Sequence, residues 1–578
     1  MTRSPAEAPT SPGEAAWRYL REGERVRPGN LVGVAWSRKP SLVKRYPPAS
    51  AIQAAGPLAD LLRDMCGWTR YQWDSYVPVT YLPELADVAL GRPLRPVPSS
   101  GGLFSAELYP ICDLPGLPVG AYHYDAAAAA LNPVRPGVTP AALGVADAKL
   151  ALLITTVFGR VAFKYGELAY RLQCLDAGVL AGQIFTVLEA AGLRGMLHTR
   201  FDEPATAELL GLTPEAERPL AIVTVDGAFP TLVPAPNPAP DLTQAQRPSP
   251  AQVRRPSPIA PSSGGSGSGG PGMAVSPFSE SGSAAAVPSP NGPGSAASSV
   301  AVAPSAGGAA AVPTASTRPL PALDTVPLTR GLCAASRTAA GPDLPPPLTL
   351  GVARPGEAPP DDVVALPPVE DRPGAVVAAG RWGRRTLDGR FGIGPITLGQ
   401  AAAVAAAARH TWQGDAGPGH VLSYCVINDV TGVPRGVYVY DPDGHRLVRT
   451  RDGDLREKLW PLPPQRWLHG DKRCGIAVYL VGDYGTGLAA CGDRWYQMQN
   501  IAAGVVAQRI LLAATAAGLS SRLLCATDPA HHAALIALPP AHRALCEILI
   551  GPRGPQVAYA QPIGGDLPPA PHSAPTSR

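Results

Sequence analysis

The sequence predicts an α+β protein made of two related copies, placed in tandem on one chain of 578 residues. Three observations carry this. Two distant segments match each other. Each segment reads as a strand, a connection, a long helix and a closing strand. Between them lies a stretch with too little to bury to fold alone.

The match is direct. Gly116-Leu-Pro-Val-Gly-Ala-Tyr-His-Tyr-Asp125 aligns with Gly432-Val-Pro-Arg-Gly-Val-Tyr-Val-Tyr-Asp441, 316 residues later. Gly166 to Leu193 aligns with Gly492 to Leu519 at an offset of 326. There Tyr170 meets Tyr496, Gln173 meets Gln499, and Gly178 meets Gly504. A single long-period repeat of this kind is a domain duplication, not a solenoid.

The order of elements comes from periodicity. Apolar runs predict strands at Leu152 to Phe158 and Ile476 to Val481. After a loop, Leu168, Leu172, Leu175 and Val179 recur at helical spacing, as do Trp495, Met498, Ile501 and Val505. Gly192 and Gly518 predict the helix ends, because glycine takes the left-handed C′ conformation without strain. Closing strands follow at Leu220 to Val225 and Glu547 to Ile550. Both helices are apolar on more than one side, which suits burial between two domains.

These patterns divide the chain into an N-terminal extension (1–29), a first domain (30–230), a linker (231–368), a second domain (369–552) and a tail (553–578). Pro, Ser, Gly and Ala dominate the linker, as in Ser262-Ser-Gly-Gly-Ser-Gly-Ser-Gly-Gly270. Linker and tail are expected to be disordered. Thr325 to Cys333 is slightly more apolar than its surroundings.

Composition narrows the function. The net charge is +4, with no basic stripe interleaved with aromatics, which argues against a nucleic-acid partner. The nine cysteines form no C-x-x-C pair and read as reduced thiols in a cytoplasmic protein. No secretory signal or membrane span is legible. No metal site is expected, since the adjacent His531 and His532 would not present one helix face.

Copy one contains Arg95-Pro-Val-Pro-Ser-Ser-Gly-Gly-Leu-Phe104, then Glu107-Leu-Tyr109, then Gly120-Ala-Tyr-His-Tyr-Asp125, then Phe163-Lys-Tyr-Gly-Glu-Leu-Ala-Tyr-Arg171. This ordered series, with the lead-in Lys39-Pro-Ser-Leu-Val-Lys-Arg-Tyr-Pro47, resembles the SagB/McbC-type azoline dehydrogenases of the nitroreductase superfamily over roughly residues 30–227. Copy two resembles the superfamily more loosely, from about Val364 to Gly551. The resemblance implies two nitroreductase-like domains, each a central mixed or antiparallel sheet flanked by helices, with the long helix at the domain interface. It also implies FMN as cofactor. The implied reaction is oxidation of thiazolines and oxazolines to azoles during maturation of a ribosomally made peptide. A cyclodehydratase partner would make the azoline first, and oxygen would restore FMN.

The residues agree with that chemistry. A flavin needs a phosphate anchor, close backbone approach to its ring and groups that tune its charge. Arg384, Arg385 and Thr386 are the anchor candidates, because guanidinium matches phosphate bidentately; an exposed basic turn would read the same. Arg390 is the displaced third basic residue of that segment. Ser99, Ser100 and Gly101, with Gly102, offer hydroxyls and unhindered backbone, or else a plain turn. The adjacent Lys164 and Tyr165 match the family's catalytic pair. Azole formation needs a base for the ring α-proton, and a tyrosine with its pKa lowered by a lysine would serve. Otherwise the pair is a strand-end tyrosine under a solvated lysine.

In copy two the equivalent positions are Ala490 and Cys491, and Gly414-Asp-Ala-Gly-Pro-Gly-His420 replaces the Ser-Ser-Gly-Gly segment. Copy one in turn lacks an Arg-Arg-Thr segment; Trp68-Thr-Arg-Tyr71 is its weak equivalent. These complementary losses predict an intramolecular pseudo-dimer, or a homodimer, with one composite FMN site. Two other functions fit the same sequence: an NAD(P)H-dependent nitro, ene or quinone reductase, and a flavin-free pseudoenzyme that docks a peptide or partner.

Overall fold

The computed structural model describes residues 12–23, 39–46, 51–53, 56–74, 91–227, 326–337, 362–370, 373–382, 391–409, 412–415, 418–459, 474–525, 529–554 and 558–562.

The first copy comprises α1 (Glu14–Glu22), β1 (Ile52–Gln53), α2 (Gly56–Cys66), β2 (Arg70–Asp74), β3 (Gly91–Leu94), β4 (Ala106–Cys112), β5 (Gly120–Asp125), β6 (Ala130–Pro136), β7 (Leu150–Val157), α3 (Phe158–Tyr165), α4 (Ala169–Ala190), β8 (Arg194–His198), α5 (Glu203–Leu209) and β9 (Glu217–Asp226). The second comprises α6 (Pro327–Ala335), β10 (Val363–Ala365), α7 (Pro373–Trp382), α8 (Leu398–Ala406), β11 (Gln413–Gly414), β12 (Leu422–Ile427), β13 (Gly436–Asp441), β14 (Arg446–Asp452), β15 (Ile476–Asp483), α9 (Tyr484–Cys491), α10 (Arg494–Ala516), β16 (Leu519–Leu524), α11 (Pro529–Leu535), β17 (His542–Pro552) and β18 (Ala558–Pro562).

The duplication is written into the sheets. The first runs β1-β6-β5-β4-β7-β9-β8, and the second runs β10-β14-β13-β12-β15-β17-β16 in the same order. Within both, every pair is antiparallel. Even the irregularities repeat. The register shifts at Ala121/Tyr122 and at Val437/Tyr438, and again at Ile154/Thr155 and Leu480/Val481. Bulges add local twist, so both sheets bend at matching places.

The expected long helices are α4 and α10, and they pack on each other at the centre. Both are buried over nearly their whole circumference, so neither shows a strong apolar stripe. Gly178 and Gly504 allow the approach. A Cβ on Gly178 would stand 2.0 Å from the Ile501 carbonyl oxygen, and one on Gly504 would stand 2.3 Å from that of Leu175. A helical glycine costs roughly 1 kcal/mol relative to alanine, which the close packing offsets. At one end Tyr170 stacks on Tyr496 at 5.9 Å, and Tyr496 on Tyr484 at 5.4 Å. Gly192 and Gly518 follow the helix ends with positive φ, as predicted.

Elements also cross between copies. β11 adds to the first sheet as a parallel strand on β8, and β18 pairs with β2. Ordered elements lie in the tail and the linker that were expected to be disordered, and in the N-terminal extension. Part of the tail from 553 is an ordered strand, because β18 satisfies the open edge of β2. The expected linker contains α6 and the segment 362–370, and α6 buries Leu332 and Cys333. The N-terminal extension contains α1, which buries Tyr19 completely. The loops expected before the long helices are instead the short helices α3 and α9. Amphipathic spacing over eight residues is too short to separate from a turn.

Candidate functional site

The site grows from the loop between β3 and β4. Asp176, buried on α4, organises it. The Ser99 hydroxyl donates to Asp176 Oδ2 at 2.9 Å, and the Ser100 hydroxyl donates to Oδ1 at 2.9 Å. The Ser100 backbone N–H donates to the same carboxylate at 3.0 Å. Both hydroxyls are thus engaged within the protein, and what the loop presents outward is backbone at Gly101 and Gly102. These residues have φ of 62° and 69°, and Phe104 is also left-handed at 47°. A non-glycine residue there costs on the order of 1–3 kcal/mol. The surroundings hold it: Phe104 N–H donates to Ser99 Oγ at 2.8 Å, and Arg160 donates to the Phe104 carbonyl at 2.7 Å.

Lys164 and Tyr165 lie on the last turn of α3, not on a strand, so the two side chains leave one helix end together. Lys164 Nζ stands 5.1 Å from the Tyr165 ring centroid. Both meet the glycine loop. A Cβ on Gly101 would fall 2.9 Å from Tyr165 Oη and 3.3 Å from Lys164 Nζ. The structure therefore brings together Ser99, Ser100, Gly101, Lys164 and Tyr165. Arg384, Arg385, Thr386 and Arg390 lie outside the described residues.

The electrostatics reverse the expected direction of the tyrosine's shift. Burial, followed by the nearby Asp176 and Cys525, pushes the Tyr165 phenol up to about 12. It is a protonated hydrogen-bond donor at neutral pH. Burial and then the charge of Lys39 hold the Lys164 ammonium below its ordinary range. The pair thus holds a neutral phenol and a lysine inclined to give up its proton.

The second copy reaches this place. Arg522 and Cys525, at the end of β16, act electrostatically on Tyr165. Cys525 packs with Tyr165 against Leu103, Val161, Leu168 and Val326. All nine cysteines are free thiols, and Cys525 alone is not buried.

The pseudo-symmetric place in the other half is built differently. Asp415 accepts from Thr199 N–H at 2.8 Å, Thr199 Oγ1 at 2.7 Å and Arg200 N–H at 2.8 Å. A carboxylate of the second copy thus closes off the end of β8, beside Cys491.

Sequence reasoning missed Asp176, Arg160 and Cys525. Asp176 carried a signal, as the lone acid in the middle of an apolar helix. Glu107, Tyr109 and His123, which lie in the quoted motifs, form a buried network beneath the loop. Arg160 pairs with Glu107 at 2.5 Å, and His123 lies 3.1 Å from Glu107. Tyr109 donates to Glu217, which Lys44 also pairs with at 2.6 Å. Burial alone would raise the Glu107 carboxyl, but Arg160 first, then His123 and Arg95, hold it well below the carboxylate range. Among the described residues no cluster could hold a metal ion, and no helix is long and apolar enough to cross a membrane.

Comparison with known proteins agrees with this architecture. The nitroreductase family model matches residues 71–227. A Methanocaldococcus jannaschii protein named "Putative nitroreductase MJ1384" is 31% identical over 103 residues, 17% of this chain and 48% of that protein. This chain thus spans about half the length of that curated relative. A crystal structure of a nitroreductase-like protein from Anabaena variabilis superposes with a TM-score of 0.64 at 17% identity, covering 94% of this chain and 100% of that one. The Escherichia coli microcin synthetase McbBCD complex matches at 21% identity over 30% of this chain and 63% of that one, with a TM-score of 0.23, too low to bear on function. The described residues carry the nitroreductase-like α+β fold in two copies, and the nitroreductase family model falls on the first of them.

Proposed function

We propose that this chain oxidises thiazoline or oxazoline rings of a ribosomally made peptide to the aromatic azoles, using FMN. The observation that carries this is the convergence of Gly101, Lys164 and Tyr165 at one point of the family-matched domain. The residues present fit the ring end of a flavin. Gly102 faces open space, and the lysine and arginine charges suit a ring that gains negative charge on reduction. The phosphate anchor proposed is Arg384, Arg385, Thr386 and Arg390 of the second copy.

When bound, FMN supplies the acceptor for the hydride that leaves the ring carbon next to the α-carbon. Lys164 takes the α-proton on Nζ and becomes an ammonium. Tyr165 keeps its own proton and donates a hydrogen bond to the polar edge of whichever ring lies against it. The ring loses two hydrogens in total. Cys525 and Arg522 wall the site from the second copy, so each chain would hold one composite site. The setting is cytoplasmic peptide maturation beside a cyclodehydratase.

The test is incubation of the purified chain, FMN-loaded, with an azoline peptide under oxygen. Loss of two hydrogens from the peptide and about one FMN per chain support the reading. An unchanged peptide with a loaded flavin overturns it. The relative's name favours a second reading, a nitroreductase, for which we propose NAD(P)H as the electron donor. Rapid anaerobic bleaching of the flavin by NADPH would select that one.

A further inference from the structure

Two acids at equivalent places receive two helices from outside their own copies. Glu167 lies two residues after Tyr165, and Asp493 lies 326 residues later at the matching junction. The Glu167 carboxylate accepts from Leu328 N–H at 3.1 Å, Thr329 N–H at 2.8 Å and Thr329 Oγ1 at 2.8 Å, the first turn of α6. Asp493 Oδ1 accepts from Ala16 N–H at 2.7 Å, in the first turn of α1, with Ala15 and Gly13 N–H also turned toward it. An acid at a helix N-terminus satisfies orphan N–H groups and meets the positive end of the dipole.

Each helix also ties to the opposite copy at its far end. The Tyr19 hydroxyl of α1 donates to the Glu167 carbonyl. Arg494 donates to the Ser336 carbonyl, just after α6, at 2.9 Å. α1 and α6 thus form two struts packed side by side, each bridging both junctions.

The junction in copy one has a reason to need holding. Helix α3 ends at Tyr165, and Gly166 breaks the chain direction with φ 54° and ψ −130°. Glycine there allows the turn and also frees it. Within the connection Gly166 N–H donates to the Ala162 carbonyl and Ala169 N–H to the Gly166 carbonyl, and the Glu167 carboxylate adds the tie to α6. Val326, which precedes α6, is buried in the same apolar cluster that Tyr165 packs against.

We propose that Glu167 is a positioning residue, and that α6, delivered by the segment between the copies, is the strap that sets Lys164 and Tyr165 against Gly101 through it. The proposal rests on the reading of Lys164 and Tyr165 as the reacting pair, but its test does not pass through activity. The segment between the copies then has a second job besides joining them.

Amide hydrogen exchange on the full chain tests this. In Glu167→Gln, exchange over residues 158–168 speeds by at least tenfold. Thr329→Val, which puts a methyl in place of the hydroxyl, speeds it too, and Thr329→Ser, which keeps the hydroxyl, retains the original rate. Asp493→Asn weakens the matching contact at the other junction, so exchange quickens over 484–494 and, with only the Tyr19 tie reaching across, far less over 158–168. Unchanged exchange at 158–168 in both Glu167→Gln and Thr329→Val overturns the proposal. So does equal quickening there in Asp493→Asn, which would mean general loosening. If Glu167→Gln fails to fold, the Thr329 pair decides alone. A spectroscopic readout accompanies it: with 13C-dimethylated lysines, the Lys164 resonance moves in Thr329→Val and stays in Thr329→Ser and Asp493→Asn.

Discussion

Gly178 and Gly504 face each other across the two long helices, each occupying the space where the other's Cβ would lie. A Cβ on Gly178 would come within 2.9 Å of the Gly504 Cα, and one on Gly504 within 2.8 Å of the Gly178 Cα. The pair marks the local axis that relates the two copies. Gly178→Ala must push the helices apart or distort Ile501, and backbone cannot give as a side chain does. The expected loss is about 3 kcal/mol or more, at the upper end of overpacking effects. Urea unfolding checks it, and Gly192→Ala, where a Cβ meets open space, should cost about 1 kcal/mol from φ alone.

Gly101→Ala should remove the site while leaving the fold. The added methyl enters between Tyr165 Oη and Lys164 Nζ at positive φ. Global stability falls by about 1–2 kcal/mol. Flavin absorbance of the purified variant should drop far more than that stability loss accounts for. A variant that retains full FMN and full turnover would separate Gly101 from the site.

The direction of the Lys164 shift gives a pH profile. Burial and Lys39 favour the neutral amine, so the base form gains as pH rises through a value below 10.5. Turnover should show a limb that rises with pH below 10.5. Lys164→Met should abolish it and lower the rate by about 10²–10⁴, the usual worth of a general base. Lys39→Gln removes a charge that opposes protonation, so the limb should move to higher pH. A limb that survives in Lys164→Met assigns the base elsewhere.

Glu547 gives a pH dependence of stability. Burial lifts its carboxyl from 4.5 to about 7, against the lowering effect of the Tyr479 hydroxyl that donates to it at 2.7 Å. The folded state holds this proton more tightly than the unfolded chain. Its contribution is therefore full below about 4.5 and declines as pH rises toward about 7. Above that it is a standing cost on the order of 3 kcal/mol. Glu547→Gln keeps the acceptor for Tyr479, so it should flatten the stability profile and stabilise at pH 8. Chemical denaturation at pH 5 and pH 8 measures the slope.

Much of this was legible because the chain repeats itself. The paired Gly-Tyr-Asp segments lie on β5 and β13, and the shared Tyr, Gln and Gly positions on α4 and α10, where packing between copies demands the same residue types. The glycine loop and the Lys-Tyr pair were legible through resemblance, and the fold joins them at Gly101. The crossings between copies were not legible. β11 is two residues long and β18 is five, too short for a period-2 pattern to emerge. α1 and α6 lie in Pro- and Ala-rich surroundings that mask their apolar faces. The Tyr165 shift was missed because adjacency in sequence says nothing of desolvation. Its sign is set first by burial, and Asp176, on the next helix, and Cys525, hundreds of residues away, add to it.

The burial of α4 also sets an order of events during synthesis. About 300 residues separate its last residue, Ala190, from Arg494, where its packing partner begins. At a translation rate of about 5–20 residues per second, that interval lasts roughly 15–60 s. Throughout it the nascent first copy displays an apolar helix face that lacks α10, and β2 still awaits β18. A chaperone that recognises exposed apolar helix would find its window there, on the ribosome, between the emergence of the two copies.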